Sequence, residues 1–177
     1  MEKSESINIG IVLERRTLDN PWLDASWRVV ALIPGAPEID DRLEIARGAN
    51  WVHYHAATLP LEIFRKETEG YKHNLSLDPP SVYVVLYRDE DGDLEVFPHH
   101  VSVCPYEAQD YLDSSEVVVD SVPMPASIIA WVAAFIDKHH VDEPFKKRKR
   151  SAFDPRKEGF DKPPPRVTKK WDRPSHE

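Results

Sequence analysis

The sequence predicts an α+β domain, in which a mostly antiparallel sheet is packed by one main C-terminal helix and followed by a disordered basic tail. Short β-branched runs separated by Pro, Gly, Asn and Asp recur over residues 7–122, which is typical of seven or eight short strands. A single long apolar stretch with helical spacing then follows at 125–140. From residue 146 onward Lys, Arg and Pro dominate, and such a composition buries too little apolar surface to offset its ordering entropy. We therefore expect a globular domain over 1–145, its sheet either open or curled into a partial barrel, and a disordered tail over 146–177.

The strands are expected where β-branched and aromatic residues alternate with polar ones. The predicted strands are 7–15, 27–33, 51–57, 59–65, 81–88, 94–103 and 116–122. The third and fourth are predicted as two strands with a break at Pro60, because proline cannot donate to a ladder. The segment 38–50 is polar and receives no assignment, while 67–75 stays open between a strand and a short helix because Gly70 weakens the helix. A hairpin turn is expected at 90–93 (EDGD), and a short helix at 105–112.

The main helix is predicted over residues 125–140. Pro125 suits the first turn of a helix, where its missing N–H would have no intrahelical partner. Apolar residues recur at three- and four-residue spacings: Ile128, Ile129, Trp131, Val132, Phe135 and Ile136. Because this helix is apolar nearly all round, we expect the body to cover most of it. The apolar run is far short of the roughly 20 residues that a bilayer crossing needs, so it is predicted to be a core helix.

Charge divides the chain into two parts that carry opposite signs. Residues 146–177 carry 12 Lys and Arg against 5 Asp and Glu, a net +7, so 1–145 carries 11 against 26, a net −15. An acidic body is a poor nucleic-acid surface, whereas the tail suits an anionic partner. The charged N-terminus gives no signal peptide, and a single cysteine, Cys104, fits a reducing compartment. We therefore expect a cytoplasmic protein.

Histidines and the cysteine are the candidate metal ligands, because zinc takes nitrogen and sulfur ligands. His53 and His55 alternate along a predicted strand and should share one face, and His99 lies five residues before Cys104. No spacing matches a standard zinc pattern, so we expect hydrogen-bonded histidines and neither a metal nor another cofactor. Cys104 also precedes a predicted helix start, which favours the thiolate, although a small buried thiol is the commoner outcome.

Other constellations carry weaker signals for chemistry. Alternating polar residues at 67–73 would line one sheet face as an acid–base set if that segment were a strand: Glu67, Glu69, Tyr71 and His73. Solvated strand positions are the favoured interpretation. The aspartates of 89–93 resemble the opening of a calcium loop, but Leu94 stands where that loop requires glycine. The sequence contains neither GxxxxGK nor GxGxxG, which disfavours a nucleotide enzyme with a glycine-rich loop.

Two segments are predicted to bind a protein partner. The turn-rich DNPW link, with Trp22 and Trp27, is expected to present an aromatic surface. The five consecutive cations that open the tail are expected to steer or tether the domain to an acidic partner: Lys146, Lys147, Arg148, Lys149 and Arg150.

Several motifs in order carry a family resemblance over about residues 7–150. They are VLERRTLDNPW, WRVVALIPGAP, RKETEGYKHNL, PSVYVVLYR, CPYEAQDYLDSSEVVVDSVPMP and WVAAFIDKHHVDEPFKKRKR. Together they resemble a bacterial family of unknown function whose members are companions of molybdenum-dependent formate dehydrogenases and are often encoded near their genes. Some members carry the label of a molybdopterin-guanine transferase, and this sequence lacks the glycine-rich loop that such a transferase needs.

The resemblance implies an accessory protein that assembles or regulates a formate dehydrogenase by protein–protein contact, with no catalytic residues to carry over. Two alternatives remain open. One is a molybdenum-cofactor-handling or metal-binding enzyme that uses His53, His55 and Cys104. The other, less favoured, is nucleic-acid binding through the basic tail.

Overall fold

The computed structural model describes residues 4–89 and 95–142, and these ranges contain seven strands and three α-helices. In chain order they are β1 (Ser4–Thr17), β2 (Ala25–Pro34), β3 (Leu43–Arg47), β4 (Trp51–Phe64), α1 (Thr68–Leu75), β5 (Ser81–Arg88), β6 (Val96–Ser102), α2 (Pro105–Tyr111), β7 (Val117–Pro123) and α3 (Ala126–His139). A single 3₁₀ turn, Arg65–Glu67, leads from β4 into α1. The predicted hairpin turn at 90–93 and the predicted tail at 146–177 lie outside the described residues.

The strands form two separate antiparallel sheets. One has the order β2-β1-β4-β3 and the other the order β6-β5-β7. Every pairing in both sheets is antiparallel. The predicted α+β class with a mostly antiparallel sheet is therefore confirmed, and the described strands do not close into a barrel.

The strand β4 runs without a break through Pro60, which corrects the predicted division into two strands. Pro60 is exposed and faces Asn8 of β1 in the register. On its other side β4 pairs with β3 only between Val52 and His55. Beyond that stretch β4 is an edge, where a residue without an N–H is tolerated. Sequence alone could not show on which side the ladder ends.

Two further segments differ from their sequence-based descriptions. Part of the unassigned segment 38–50 forms β3, an edge strand that pairs with β4. The ambiguous segment 67–75 folds as α1, with Thr68 donating its hydroxyl proton to the Arg65 carbonyl at 3.0 Å. The alternating set of Glu67, Glu69, Tyr71 and His73 therefore lies at helical positions and cannot line one face of a sheet.

The main helix covers the core with one face only. Ile128, Val132 and Phe135, at spacings of four and three residues, are fully buried. Ala130 and Ala134 are exposed on the opposite face. Ile129, Trp131 and Ile136 are partly buried against the core, so the body covers the large apolar side chains as expected. It does not cover the alanine face, which stays in water.

The core lies between the two sheets and α3. Its largest fully buried side chains come from β1, β4, α1, β5 and α3: Ile9, Ile11, Leu13, Leu61, Ile63, Tyr71, Val82, Val84, Val85, Leu86, Ile128 and Phe135. A partly buried carboxylate contact also joins the two sheets, because Asp120 of β7 accepts the backbone N–H of Val29 in β2 at 2.8 Å.

Asn74 ties three elements together from a fully buried position at the end of α1. Its side-chain amide donates to the carbonyls of Ser81 (2.7 Å) and Val103 (2.8 Å). Its side-chain oxygen accepts the N–H of Ser81 at 3.0 Å. One side chain thereby satisfies three backbone groups at the start of β5 and just after β6.

Candidate functional site

Among the described residues, Glu14 is the buried carboxylate, and it lies on β1 between β2 and β4. Its neighbours in the register are Arg28 on β2 and His53 on β4, while Arg16 follows two residues later on the same face of β1. Arg28, Glu14 and His53 form a row across three strands, and Arg16 lies beside Glu14 along β1; we call these four side chains the Glu14 cluster.

Both oxygens of the Glu14 carboxylate are fully engaged. Oε1 accepts from Nε of Arg16 at 3.0 Å and from Nε of Arg28 at 3.1 Å. Oε2 accepts from a terminal nitrogen of Arg16 at 3.2 Å and meets Nε2 of His53 at 3.0 Å. The cluster therefore contains two guanidinium groups and an imidazole around one carboxylate, an excess of positive charge in an acidic domain.

A cleft of about 390 Å³ opens beside the Glu14 cluster. Its lining comes from the cluster and from the facing strands β2 and β7: Glu14, Arg28, Val29, Val30, His53, Ser121, Val122 and Pro123. The cleft follows the line where the edge of one sheet meets the edge of the other. The positive cluster is thus placed on one wall of a concave surface.

Hydrogen bonds from Arg16, His53 and Arg28 lower the pKa of Glu14 to about 2, against the opposing effect of burial. This folded-state pKa is below the usual value of 4.5, so the contribution of Glu14 to stability is complete above about pH 4.5 and is lost as the pH falls towards 2. Because the arginines are solvent-accessible, we expect a contribution of about 1–2 kcal/mol.

The variant Glu14→Gln tests this pH dependence. We expect it to lower the free energy of unfolding at pH 7, as measured by urea titration, and the gap to the unmodified protein to shrink between pH 4.5 and 2.5. Glu62→Gln, at an exposed position of β4, should leave the free energy of unfolding nearly unchanged. A gap that stayed constant down to pH 2.5 would contradict the assignment.

The metal candidates occupy different surroundings. His53 belongs to the Glu14 cluster, whereas His55 is buried and meets the hydroxyl of Thr58 at 3.0 Å. His99 lies against the ring of Tyr87, with centroids 4.5 Å apart. Within residues 4–89 and 95–142, three or more His, Cys, Asp or Glu side chains nowhere converge as a metal site would require.

Cys104 is buried at the residue that precedes α2. Burial raises the pKa of its thiol despite backbone hydrogen bonds from Tyr106 and Glu107, and the carboxylates of Glu67 and Glu107 raise it further. The start of α2 therefore does not produce the thiolate that the sequence allowed. A cavity of about 310 Å³ lies next to Cys104, and its lining includes four acidic side chains against the single cation Lys66, a balance that disfavours a reactive anion there.

Glu107 joins His100 and Ser102 beside that cavity. One carboxylate oxygen meets Nε2 of His100 at 2.9 Å, and the other accepts the hydroxyl proton of Ser102. The hydrogen bond with His100 lowers the pKa of Glu107, and the same contact raises the pKa of His100. The carboxylate therefore lies between serine and imidazole, which is not the order in which a histidine activates a serine nucleophile.

The two tryptophans predicted to bind a partner have different environments. Trp22 is 91% exposed in the loop between β1 and β2, where its backbone N–H donates to the side-chain oxygen of Asn20 at 2.9 Å. Trp27 lies on β2 and packs partly against the core, and the guanidinium of Arg42 stands 4.9 Å from its ring centre. Of these two tryptophans, Trp22 is the one presented fully to solvent. The residues Lys146 to Arg150 lie outside the described part.

The architecture thus defines a two-sheet α+β domain with a positively charged cluster at the junction of its sheets and an exposed tryptophan in a hairpin loop. A family model described as protein of unknown function (DUF3305) matches residues 8–149, and the chain belongs to this family. No curated protein and no solved structure matches it. No helix within residues 4–89 and 95–142 combines the length and apolar character needed to cross a membrane.

The residues missed by sequence reasoning are Glu14, Arg16 and Arg28. The alternation of Glu14 and Arg16 in the LERR motif was a signal that both share a face of the strand. Their convergence with Arg28 and His53 depends on the register of three strands, which the sequence does not state.

Proposed function

We propose that this domain is an accessory protein that acts by protein–protein contact, with Trp22 as the main contact residue. The observation that supports the proposal is the presentation of Trp22. Trp22 is 91% exposed, so a large apolar surface is in contact with water in the free protein, which is unfavourable. Burying this side chain against a partner would release that free energy.

The loop around Trp22 is ordered by its own hydrogen bonds. Asn20 accepts the N–H of Trp22, and the N–H of Leu18 donates to the carbonyl of Asp24 at 3.0 Å, closing the hairpin loop. Preorganisation reduces the entropy that binding would otherwise cost. The indole is therefore held on a short, fixed loop, as an interface anchor requires.

The proposed partner is a molybdenum-dependent formate dehydrogenase subunit or one of its maturation factors. The resemblance described above supports this identity, and the charge division of the chain supports a second contact. Lys146, Lys147, Arg148, Lys149 and Arg150 would increase the association rate with an acidic partner surface, an effect that salt reduces.

Crosslinking and co-purification of tagged protein from cells that express formate dehydrogenase test the proposal. We expect recovery of a dehydrogenase subunit or maturation factor, and we expect Trp22→Ala to reduce that recovery at least tenfold, as for an interface hot spot. Leu112→Ala is the matched control, because Leu112 is an apolar residue that is 60% exposed elsewhere on the domain.

Equal recovery with Trp22→Ala and Leu112→Ala would contradict the role of Trp22. A failure to recover any dehydrogenase component, even after crosslinking, would contradict the proposed partner. Deletion of the gene provides a separate measurement: loss of formate dehydrogenase activity with intact molybdenum cofactor content supports help in assembly, whereas loss of the cofactor supports the alternative role in cofactor handling.

A further inference from the structure

We infer that the cleft beside the Glu14 cluster is a binding site for a small oxyanion, a free carboxylate or phosphate, which the guanidinium of Arg28 would hold from one wall. This inference does not depend on the proposed partner contact through Trp22.

The first support is the balance of donors and acceptors in the Glu14 cluster. A guanidinium has five N–H groups in a planar fork. Arg16 and Arg28 each direct two of their nitrogens at Glu14. Each therefore keeps three N–H groups that make no hydrogen bond within residues 4–89 and 95–142. Of the two arginines, Arg28 lines the cleft, and its remaining donors suit a pair of oxygens of a carboxylate or phosphate.

The second support is the gradient of exposure across the cluster. The Glu14 side chain is 5% exposed and the Arg28 side chain 60% exposed, so the negative charge is buried and the positive charge faces water. Arg16, two residues from Glu14 on the same face of β1, neutralises much of the Glu14 charge. We assign Glu14 and Arg16 positioning roles: they orient Arg28 without cancelling the positive charge at the cleft.

The third support is the shape of the site. Arg28 and His53 line the same cleft of about 390 Å³, together with the facing residues Ser121 to Pro123. A cleft of this size admits a small organic anion rather than a folded partner. The hydroxyl of Ser121, at an exposed position on the opposite wall, adds a donor that suits an anion.

Asp120 is the nearby charge that opposes anion binding. It lies next to Ser121 in the chain, and its carboxylate accepts the N–H of Val29, another lining residue. An incoming oxyanion is repelled by this carboxylate. Asp120→Asn keeps an oxygen for the N–H of Val29 and removes the charge, so we expect it to tighten anion binding by about twofold to fivefold.

Titration of the full-length protein with inorganic phosphate or with succinate, at constant ionic strength, tests the inference. The indole N–H of Trp51 is a useful reporter in a ¹⁵N–¹H spectrum, because its ring lies 4.3 Å from the ring of His53. We expect a saturable shift of the Trp51 and His53 signals with at least one of the two anions. The anion that binds identifies the ligand class.

Arg28→Gln should weaken this binding about tenfold or more, because it removes both the charge and the fork. Arg28→Lys keeps the charge without the fork and should be intermediate; it also serves if the glutamine variant does not fold. Arg47→Gln is the matched control: Arg47 is 62% exposed, pairs with Glu44 on the same sheet and does not line the cleft. Arg47→Gln should leave the affinity unchanged.

The absence of a saturable shift with both anions would overturn the inference. So would equal weakening by Arg28→Gln and Arg47→Gln, since that result would indicate general screening of the domain's charge rather than a site. A weaker affinity in Asp120→Asn would likewise contradict the assigned geometry.

Discussion

Asn74→Ala is expected to lower the free energy of unfolding by about 3–5 kcal/mol, one of the two largest effects of a single substitution in this domain. The substitution removes the partner of three backbone groups: the carbonyls of Ser81 and Val103 and the N–H of Ser81. Because Asn74 has no exposed surface, water does not replace these bonds without reorganising the end of α1. Urea unfolding followed by circular dichroism measures the loss.

Asn50→Ala is the control for this prediction. Asn50 is exposed in the turn before β4, and its backbone carbonyl, which the substitution retains, accepts the N–H of Thr17. We expect a change within about 0.5 kcal/mol. A loss below 1 kcal/mol for Asn74→Ala would show that the three backbone groups find other partners and that the side chain does not tie the elements together.

Phe135→Ala is expected to cost about 3–5 kcal/mol, because it removes a large, fully buried ring from the face of α3 that covers the core. The ring also contacts His139 of the next turn, with centroids 4.5 Å apart. Alanine is a good helix former, so the loss reports packing rather than helix propensity. The midpoint of urea unfolding should fall while the slope stays unchanged.

Ala134→Ser, at the exposed position next to Phe135, is the matched control on the same helix turn. It should change the free energy of unfolding by about 0.5 kcal/mol or less. If Phe135→Ala changed the free energy of unfolding as little as Ala134→Ser, α3 would contribute little to the core and the assignment of its buried face would be wrong.

The sequence predicted best those elements whose stability comes from local pattern. The strand β5 was expected at 81–88, the bounds it has in the structure, because its run SVYVVLYR combines β-branched residues with clear limits. The main helix was likewise placed within one residue at each end. The burial of its alanine face was overestimated, since a periodicity of apolar residues does not distinguish a covered alanine from an exposed one.

Elements that depend on their neighbours were less predictable. The edge strand β3 has mostly exposed residues and little alternation, so only its pairing with β4 defines it. Pro60 appeared to break a strand because the sequence does not reveal which side of β4 carries a ladder. The Glu14 cluster also depends on strand pairing that the sequence does not reveal. Arg28 is 14 residues and His53 is 39 residues from Glu14 along the chain.

The predicted partner surface was partly recognisable. Proline and asparagine marked the turn that exposes Trp22, and the Asn20 hydrogen bond follows from the preference of asparagine for capping its own turn. The same reasoning grouped Trp27 with Trp22, although Trp27 alternates into the packed face of β2. Sequence proximity was a poor guide there, because Trp22 lies in the loop before β2 whereas Trp27 belongs to the strand itself.

The hydrogen bond between Asp120 and the N–H of Val29 bears on aggregation through the edge strand β2. An edge strand presents unpaired backbone N–H and C=O groups with which a strand of another molecule can pair. The Asp120 carboxylate occupies one of these N–H groups on β2 and so opposes such pairing. Polymer growth along β2 would first have to displace a charged group supplied by the chain itself. Within the four-stranded sheet, added strands are therefore expected to pair at the opposite border, at β3.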